Sequence, residues 1–177
     1  MGGGQLLFEL LELVITSTHN EIEQQYGLYN YYDPARMAVI PPGTDLVQFH
    51  PPTDGKPPAF ASQVNRFLAN PDKPLILTLS RPDERKNILT LIEAYGESQP
   101  LRQAANLLIV AGNRDDIRDM DSGAQRVMTN ILLLIDAHDL YGRVAVPKSH
   151  RATEVPEIYR LAAARAGVFI KQVFTES

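Results

Sequence analysis

The sequence predicts an α/β fold in which a parallel sheet carries helices on both faces. Three observations predict it. From residue 74 onward, short apolar runs alternate with segments of helical period. Each apolar run ends in a turn signal, and each helical segment keeps its large apolar residues on one side. Strands separated by helices run parallel, because the crossover returns the chain to the same end of the sheet.

The elements follow in chain order. Residues 5–13 read as a short helix, and the β-branched run over residues 14–17 as a strand. Thr18 or Asn20 caps a second helix that runs through Gly27, with Glu21 and Glu23 in its first turn. Residues 37–40 form a strand that Pro41-Pro42-Gly43 ends, since proline has no N–H for a ladder. Pro-Pro pairs at 41–42, 51–52 and 57–58 punctuate a linker, and a short helix is expected over 62–69. Strands are expected over 75–79, 107–110, 144–146 and 168–170. The first of these leads to a helix over 87–98, with Ile88, Leu91, Ile92 and Tyr95 on one face. The second leads to a helix over 123–138, with Val127, Ile131, Leu134 and Ile135 aligned. The third leads to a helix over 155–164, with Pro156 near its start where proline is tolerated.

Composition narrows the function classes. The chain has 177 residues, of which 44% are hydrophobic and 21% charged, so a disordered chain is excluded. A net charge of -4 gives no nucleic-acid footprint. With no cysteine there are no disulfides, thiolate metal sites or cysteine nucleophiles. Glu9 and Glu12 interrupt the apolar run over 6–15, which falls short of the roughly 20 residues a membrane span needs. That run also lacks a basic flank and a small-residue cleavage site, so it is a poor signal peptide. The expected location is cytoplasmic, without nucleic-acid or membrane partners.

Folds of this class bind ligands at the carboxyl ends of their strands. After the 75–79 strand comes Ser80-Arg81-Pro82-Asp83-Glu84-Arg85-Lys86-Asn87. Arg81 and Lys86 flank a turn that leads into a helix start, which fits a diphosphate clamp. The competing reading is a solvated basic loop partly neutralised by Asp83 and Glu84. After the next strand comes Gly112-Asn113-Arg114-Asp115-Asp116. Gly112 allows close backbone approach or a turn of positive φ. Asp115 and Asp116 read either as a metal pair or, with more weight, as a helix cap and its solvated neighbour. After the third strand comes Pro147-Lys148-Ser149-His150-Arg151. Lys148 and Arg151 can meet phosphate there, and His150 is a base, a ligand or neither. His19, His50 and His138 are scattered without metal-ligand spacing. There is no Ser-His-Asp constellation, Walker loop or GxGxxG.

The 80–87 string resembles the donor-phosphate motif of retaining GT-B glycosyltransferases. Further strings resemble the sucrose-phosphate synthase family within that group. They are Val14-Ile15-Thr16-Ser17-Thr18, Val39-Ile40-Pro41-Pro42-Gly43, Gly112-Asn113-Arg114-Asp115-Asp116, Pro147-Lys148-Ser149-His150 and Val155-Pro156-Glu157-Ile158-Tyr159-Arg160. Their order covers the chain from about residue 9 to its C-terminus.

The resemblance implies two Rossmann-like domains with a cleft between them. It implies retaining transfer of glucose from UDP-glucose to fructose 6-phosphate, giving sucrose 6-phosphate and UDP. Arg81 and Lys86 would bind the diphosphate, and Gly112, Asn113, Lys148 and His150 would line the donor site. Phe174-Thr175-Glu176 aligns with the start of the family's paired-glutamate motif, which makes Glu176 the glutamate that holds the donor sugar. No cofactor or catalytic metal is implied, and Mg²⁺ stimulation is compatible with the family. Residues 1–45 then read as a remnant of the acceptor-side domain, 46–62 as the linker and 63–177 as a partial donor-binding domain. The expectation is an internal fragment with little activity alone and a tendency to self-associate through exposed apolar surface. The alternatives are a nucleotide-sugar-binding half-domain, or a related synthase such as sucrose synthase or mannosylfructose-phosphate synthase.

Overall fold

The computed structural model describes residues 12–29, 32–52 and 58–171. The chain divides into two compact units, between Val47 and Gln48.

In the first unit, β1 (Val14–Thr16) pairs in parallel with β2 (Met37–Val39), Val14 opposite Met37. The strand expected over 14–17 stops at Thr16 because the Ser17 N–H donates to the Glu21 carboxylate, at 2.7 Å. The Glu21 N–H donates in return to the Thr18 hydroxyl at 3.2 Å. Thr18 is therefore the cap, and the Asn20 side chain caps nothing. The helix it opens is irregular: a π-helical turn over Glu21–Gln25 passes into a 3₁₀ turn over Tyr26–Leu28. Of the helix expected over 5–13, residues 5–11 lie outside the described residues, and Glu12 and Leu13 are not helical.

In the second unit, four parallel strands lie in the order β5-β4-β3-β6. They are β3 (Leu75–Ser80), β4 (Asn106–Ala111), β5 (Val144–Ala145) and β6 (Val168–Phe169). The helices are α1 (Ala61–Asn65), α2 (Ile88–Glu97), α3 (Gln99–Ala104), α4 (Ser122–Ala137) and α5 (Val155–Ala164). Side chains alternate across the sheet, so the two faces carry two cores. Ile76, Leu107 and Ile109 pack with Ile88, Ile92, Met128 and Ile131 of α2 and α4. Leu75, Leu77, Leu108 and Val110 pack with Val64 of α1 and with Ile158 and Leu161 of α5. The all-apolar runs of β3 and β4 have this cause: both of their faces are covered.

Among the boundaries that differ from expectation, those around the first helices have local reasons. The short helix ends at Asn65, not near residue 69, because the Ala69 N–H donates to the Gly142 carbonyl at 2.8 Å. The helix expected over 87–98 stops at Glu97, and α3 follows it unforeseen. Ser98 caps α3 by accepting from the Leu101 N–H at 3.5 Å, and Pro100 sits in its first turn. Basic side chains close these helix ends, where partial negative charge collects. Arg102 donates to the Gly96 carbonyl, while Arg143 and Lys73 donate to the Arg102 carbonyl at 2.8 and 3.3 Å.

Among the described residues no helix is long and apolar enough to cross a membrane. Strand β3 lies between β4 and β6, so the chain runs outward through β4 and β5 and then returns to the other side of β3. The carboxyl end of β3 is therefore the topological switch point, where this class of sheet opens a crevice.

Candidate donor site

Ser80 stands opposite Ala111 in register, so the loops that leave β3 and β4 lie side by side. A cavity of about 560 Å³ opens between them, lined by Arg81, Asp83, Gly112, Asn113, Gly123 and Arg126 among others. Gly112 has φ +67°, and a Cβ there would stand 3.1 Å from Pro82 Cδ. Both facts keep the cavity wall free of side chain at that point. A second, more polar cavity of about 450 Å³ lies against the loop after β5, lined by Gln63, Asn113, Arg114, Ser149, His150 and Glu154 among others.

The basic residues of this edge differ in what they hold. Arg85 donates to both Asp83 oxygens, at 3.1 and 2.8 Å. Those hydrogen bonds, with the Arg85 N–H, lower the Asp83 carboxyl to about 2. Arg118 grips Asp116 in the same way, at 2.6 Å, and holds it well below the usual carboxylate range. Arg126 of α4 reaches Glu84 at 2.9 Å and ties that helix to the β3 loop. Arg81 is exposed, and among the described residues its side chain has no hydrogen bond or ion pair. Lys86 is half-buried at the end of the 3₁₀ turn Glu84–Lys86 and does not line the cavity that Arg81 lines.

The β4 and β5 loops are knitted by polar contacts. The His150 N–H donates to the Asn113 side-chain oxygen at 2.8 Å, and Lys148 Nζ donates to the Asp115 carbonyl at 2.8 Å. The Arg114 guanidinium donates to the Pro147 and Val146 carbonyls at 3.1 and 3.2 Å. Its own N–H donates to the Lys148 carbonyl at 2.9 Å, and burial lowers its pKa. Strand β5 stops at Ala145, one residue short of expectation, where Arg114 takes the Val146 carbonyl. Arg114 is the residue that sequence reasoning passed over. Its partners lie 32 and 33 residues away, so no local pattern marks it.

Asp116 accepts from the Arg118 N–H at 2.8 Å and opens the 3₁₀ turn Ile117–Asp119, so the capping reading of the Asp115-Asp116 pair holds. Among the described residues no three His, Cys, Asp or Glu gather as metal ligands would. The structure thus brings Arg81, Gly112 and Asn113 to one cavity and Asn113 and His150 to the next. Glu176 lies outside the described residues.

No family model matches the chain. A probable sucrose-phosphate synthase 2 of Craterostigma plantagineum is 46% identical over 97% of this chain. The chain belongs to the sucrose-phosphate synthase family. The sucrose-phosphate synthase of Zea mays is likewise 46% identical, over 98% of the chain. The chain spans 19% and 20% of the length of these two relatives. Among solved structures, a sucrose-phosphate synthase from Thermosynechococcus elongatus superposes with a TM-score of 0.59 at 26% identity. That match covers 90% of this chain and 35% of that one. A glycosyltransferase from Rickettsia africae shares the fold, with a TM-score of 0.64 at 18% identity over 92% of this chain and 40% of its own. The parallel, Rossmann-like sheet is that of the GT-B glycosyltransferases.

Proposed function

We propose that this sucrose-phosphate synthase segment forms the donor side of a retaining glucosyl transfer. Glucose would pass from UDP-glucose to fructose 6-phosphate, leaving UDP and sucrose 6-phosphate. The observation that carries the reading is Arg81, whose guanidinium has no partner among the described residues, at the switch-point end of β3 on a cavity that Gly112 also lines. As the bond from the sugar to the diphosphate breaks, negative charge grows on the departing phosphate. A guanidinium fixed at that place stabilises it more than it stabilises the ground state. Lys86 adds a second positive charge from the same loop. Asn113, Lys148 and His150 shape the uridine end, and Glu176 holds the sugar. Residues 63–177 are the donor-binding part in this reading, 46–62 the linker, and 1–45 belong to the acceptor side. Transfer needs both reactants oriented together, so the segment alone binds the donor and does not turn it over. The proposed compartment is the cytoplasm, where sugar phosphates are handled. Self-association is also proposed, through exposed apolar side chains such as Leu133, 60% exposed.

The test is a ligand-observed NMR titration of the purified chain with UDP and UDP-glucose. Saturable binding that is lost in Arg81→Ala and weakened in Lys86→Ala supports the donor site. A folded chain that binds neither ligand refutes it.

A further inference from the structure

Three aromatic rings stand in line along α5. The Phe49 centroid lies 6.1 Å from that of Tyr159, with the planes at 61°, and Tyr159 lies 5.2 Å from Phe169 at 68°. Both pairs are edge-to-face, the arrangement that ring quadrupoles favour. The rings come from three places: the turn and bend over residues 46–49 at the start of the second unit, the middle of α5, and strand β6. That turn is also held by Arg160, which donates to the Gln48 carbonyl at 2.8 Å. Phe49, Pro51 and Pro52 close over Pro156 and Ala163 around a cleft of about 200 Å³.

Besides the packing of Ile170 against the first core cluster, strand β6 has few backbone contacts. It pairs with β3 through Ile76–Val168 and Leu77–Phe169 alone, followed by one hydrogen bond from the Ile170 N–H to the Leu77 carbonyl at 2.8 Å. Val168 and Phe169 themselves are 55% and 43% exposed, so neither side chain is sealed in a core. Side-chain contacts decide the placement of a strand this short. Phe49 and Phe169 stand outside both core clusters, so truncating Phe49 leaves those clusters intact.

We propose that Phe49 and Tyr159 are positioning residues: through Phe169 they fix the carboxyl end of β6, and with it the start of the segment that leads to Glu176. The placement of β6 stands on the geometry alone, whereas its consequence for the donor sugar rests on the function proposed above. A carboxylate that must meet a hexose hydroxyl tolerates little displacement, since a shift of about 1 Å can cost on the order of a hundredfold.

Amide hydrogen exchange of the full chain tests this without a ligand. In Phe49→Ala the Ile170 amide exchanges roughly three- to tenfold faster, as the loss of one aromatic pair implies. The amides of β4 keep their wild-type rates. In Tyr159→Ala, whose ring also packs against the second core cluster, the Ile170 amide accelerates at least as much, and Tyr159→Phe, which keeps the ring, leaves the wild-type rate. An unchanged Ile170 amide in Phe49→Ala, or equal acceleration throughout β4, overturns the proposal. A second readout is the ratio of UDP-glucose to UDP affinity. It falls in Phe49→Ala while UDP binding holds, and an unchanged ratio overturns the link to the sugar. A wild-type chain that binds neither ligand refutes the donor-site reading and severs that link, and the exchange result still decides the placement of β6.

Discussion

An alanine at position 167 would drive a methyl group into the backbone of two neighbouring elements. Its Cβ would overlap the Leu75 carbonyl oxygen and lie 2.8 Å from the Ala162 carbonyl and 3.0 Å from the Leu75 carbonyl carbon. All of these atoms are main chain, so no side-chain rotation relieves the contact. Leu75 is fully buried and cannot retreat. The chain can keep β6 in place and carry the overlap, which costs about 1–3 kcal/mol as overpacking does. Otherwise it releases β6 and loses a few hydrogen bonds of about 1 kcal/mol each, among them that from Ile170 to Leu77. The two routes cost alike, so Gly167→Ala is expected to destabilise by about 3 kcal/mol. With a urea m-value of about 2 kcal/mol/M, the midpoint falls by about 1.5 M. The preceding residue gives a control of opposite sign. Ala166 has φ +49°, a left-handed conformation that costs a side chain about 1 kcal/mol, so Ala166→Gly is expected to hold or raise stability. A Gly167→Ala midpoint within about 0.5 kcal/mol of wild type would refute the steric account.

Two further outcomes follow from the loops. Arg114→Ala strips two carbonyls of their guanidinium donor and is expected to cost about 2 kcal/mol, seen as a lower urea midpoint and shifted Lys148 and His150 amide resonances. Asp83 has a lowered folded pKa, so its contribution is complete above 3.8 and lost as pH falls through about 2. A carbon-detected carboxyl titration reads that midpoint, and Arg85→Ala moves it back toward 3.8 because the largest cause is the Arg85 side chain.

The sheet was legible because its strands are buried on both faces and its helices on one. Those two patterns survive without tertiary information in Leu75 to Leu79 and in the Ile88, Leu91, Ile92 and Tyr95 face. Helix α3 was missed although Ser98 and Pro100 announce it, because the stretch is short and its apolar side chains stay outside the core. The Ala166-Gly167 pair shows a different limit. A glycine after a helix normally supplies positive φ, yet here Ala166 carries it and the glycine is needed for close approach to β3. The strands at the sheet ends came out shorter than expected, and at β5 the cause is a long-range partner, since Arg114 takes the Val146 carbonyl.

The carboxyl edge follows the same division between local and distant partners. Arg85 and Arg118 each close on an aspartate two residues away, a pairing that fixes the turn and removes the charge from use. Arg114 places two of its donors on carbonyls of the β5 loop, so it sets the distance between two loops. Among the described residues Arg81 has neither kind of partner. An anion arriving there gains a full charge-assisted contact and breaks none, whereas at Arg85 it would have to displace Asp83 and leave a bare carboxylate facing the phosphate. Among the described residues the Arg and Asp of this edge thus resolve into structural pairs, with the Arg81 guanidinium left over. That resolution, rather than the number of basic residues, is what supports the diphosphate site proposed at the end of β3.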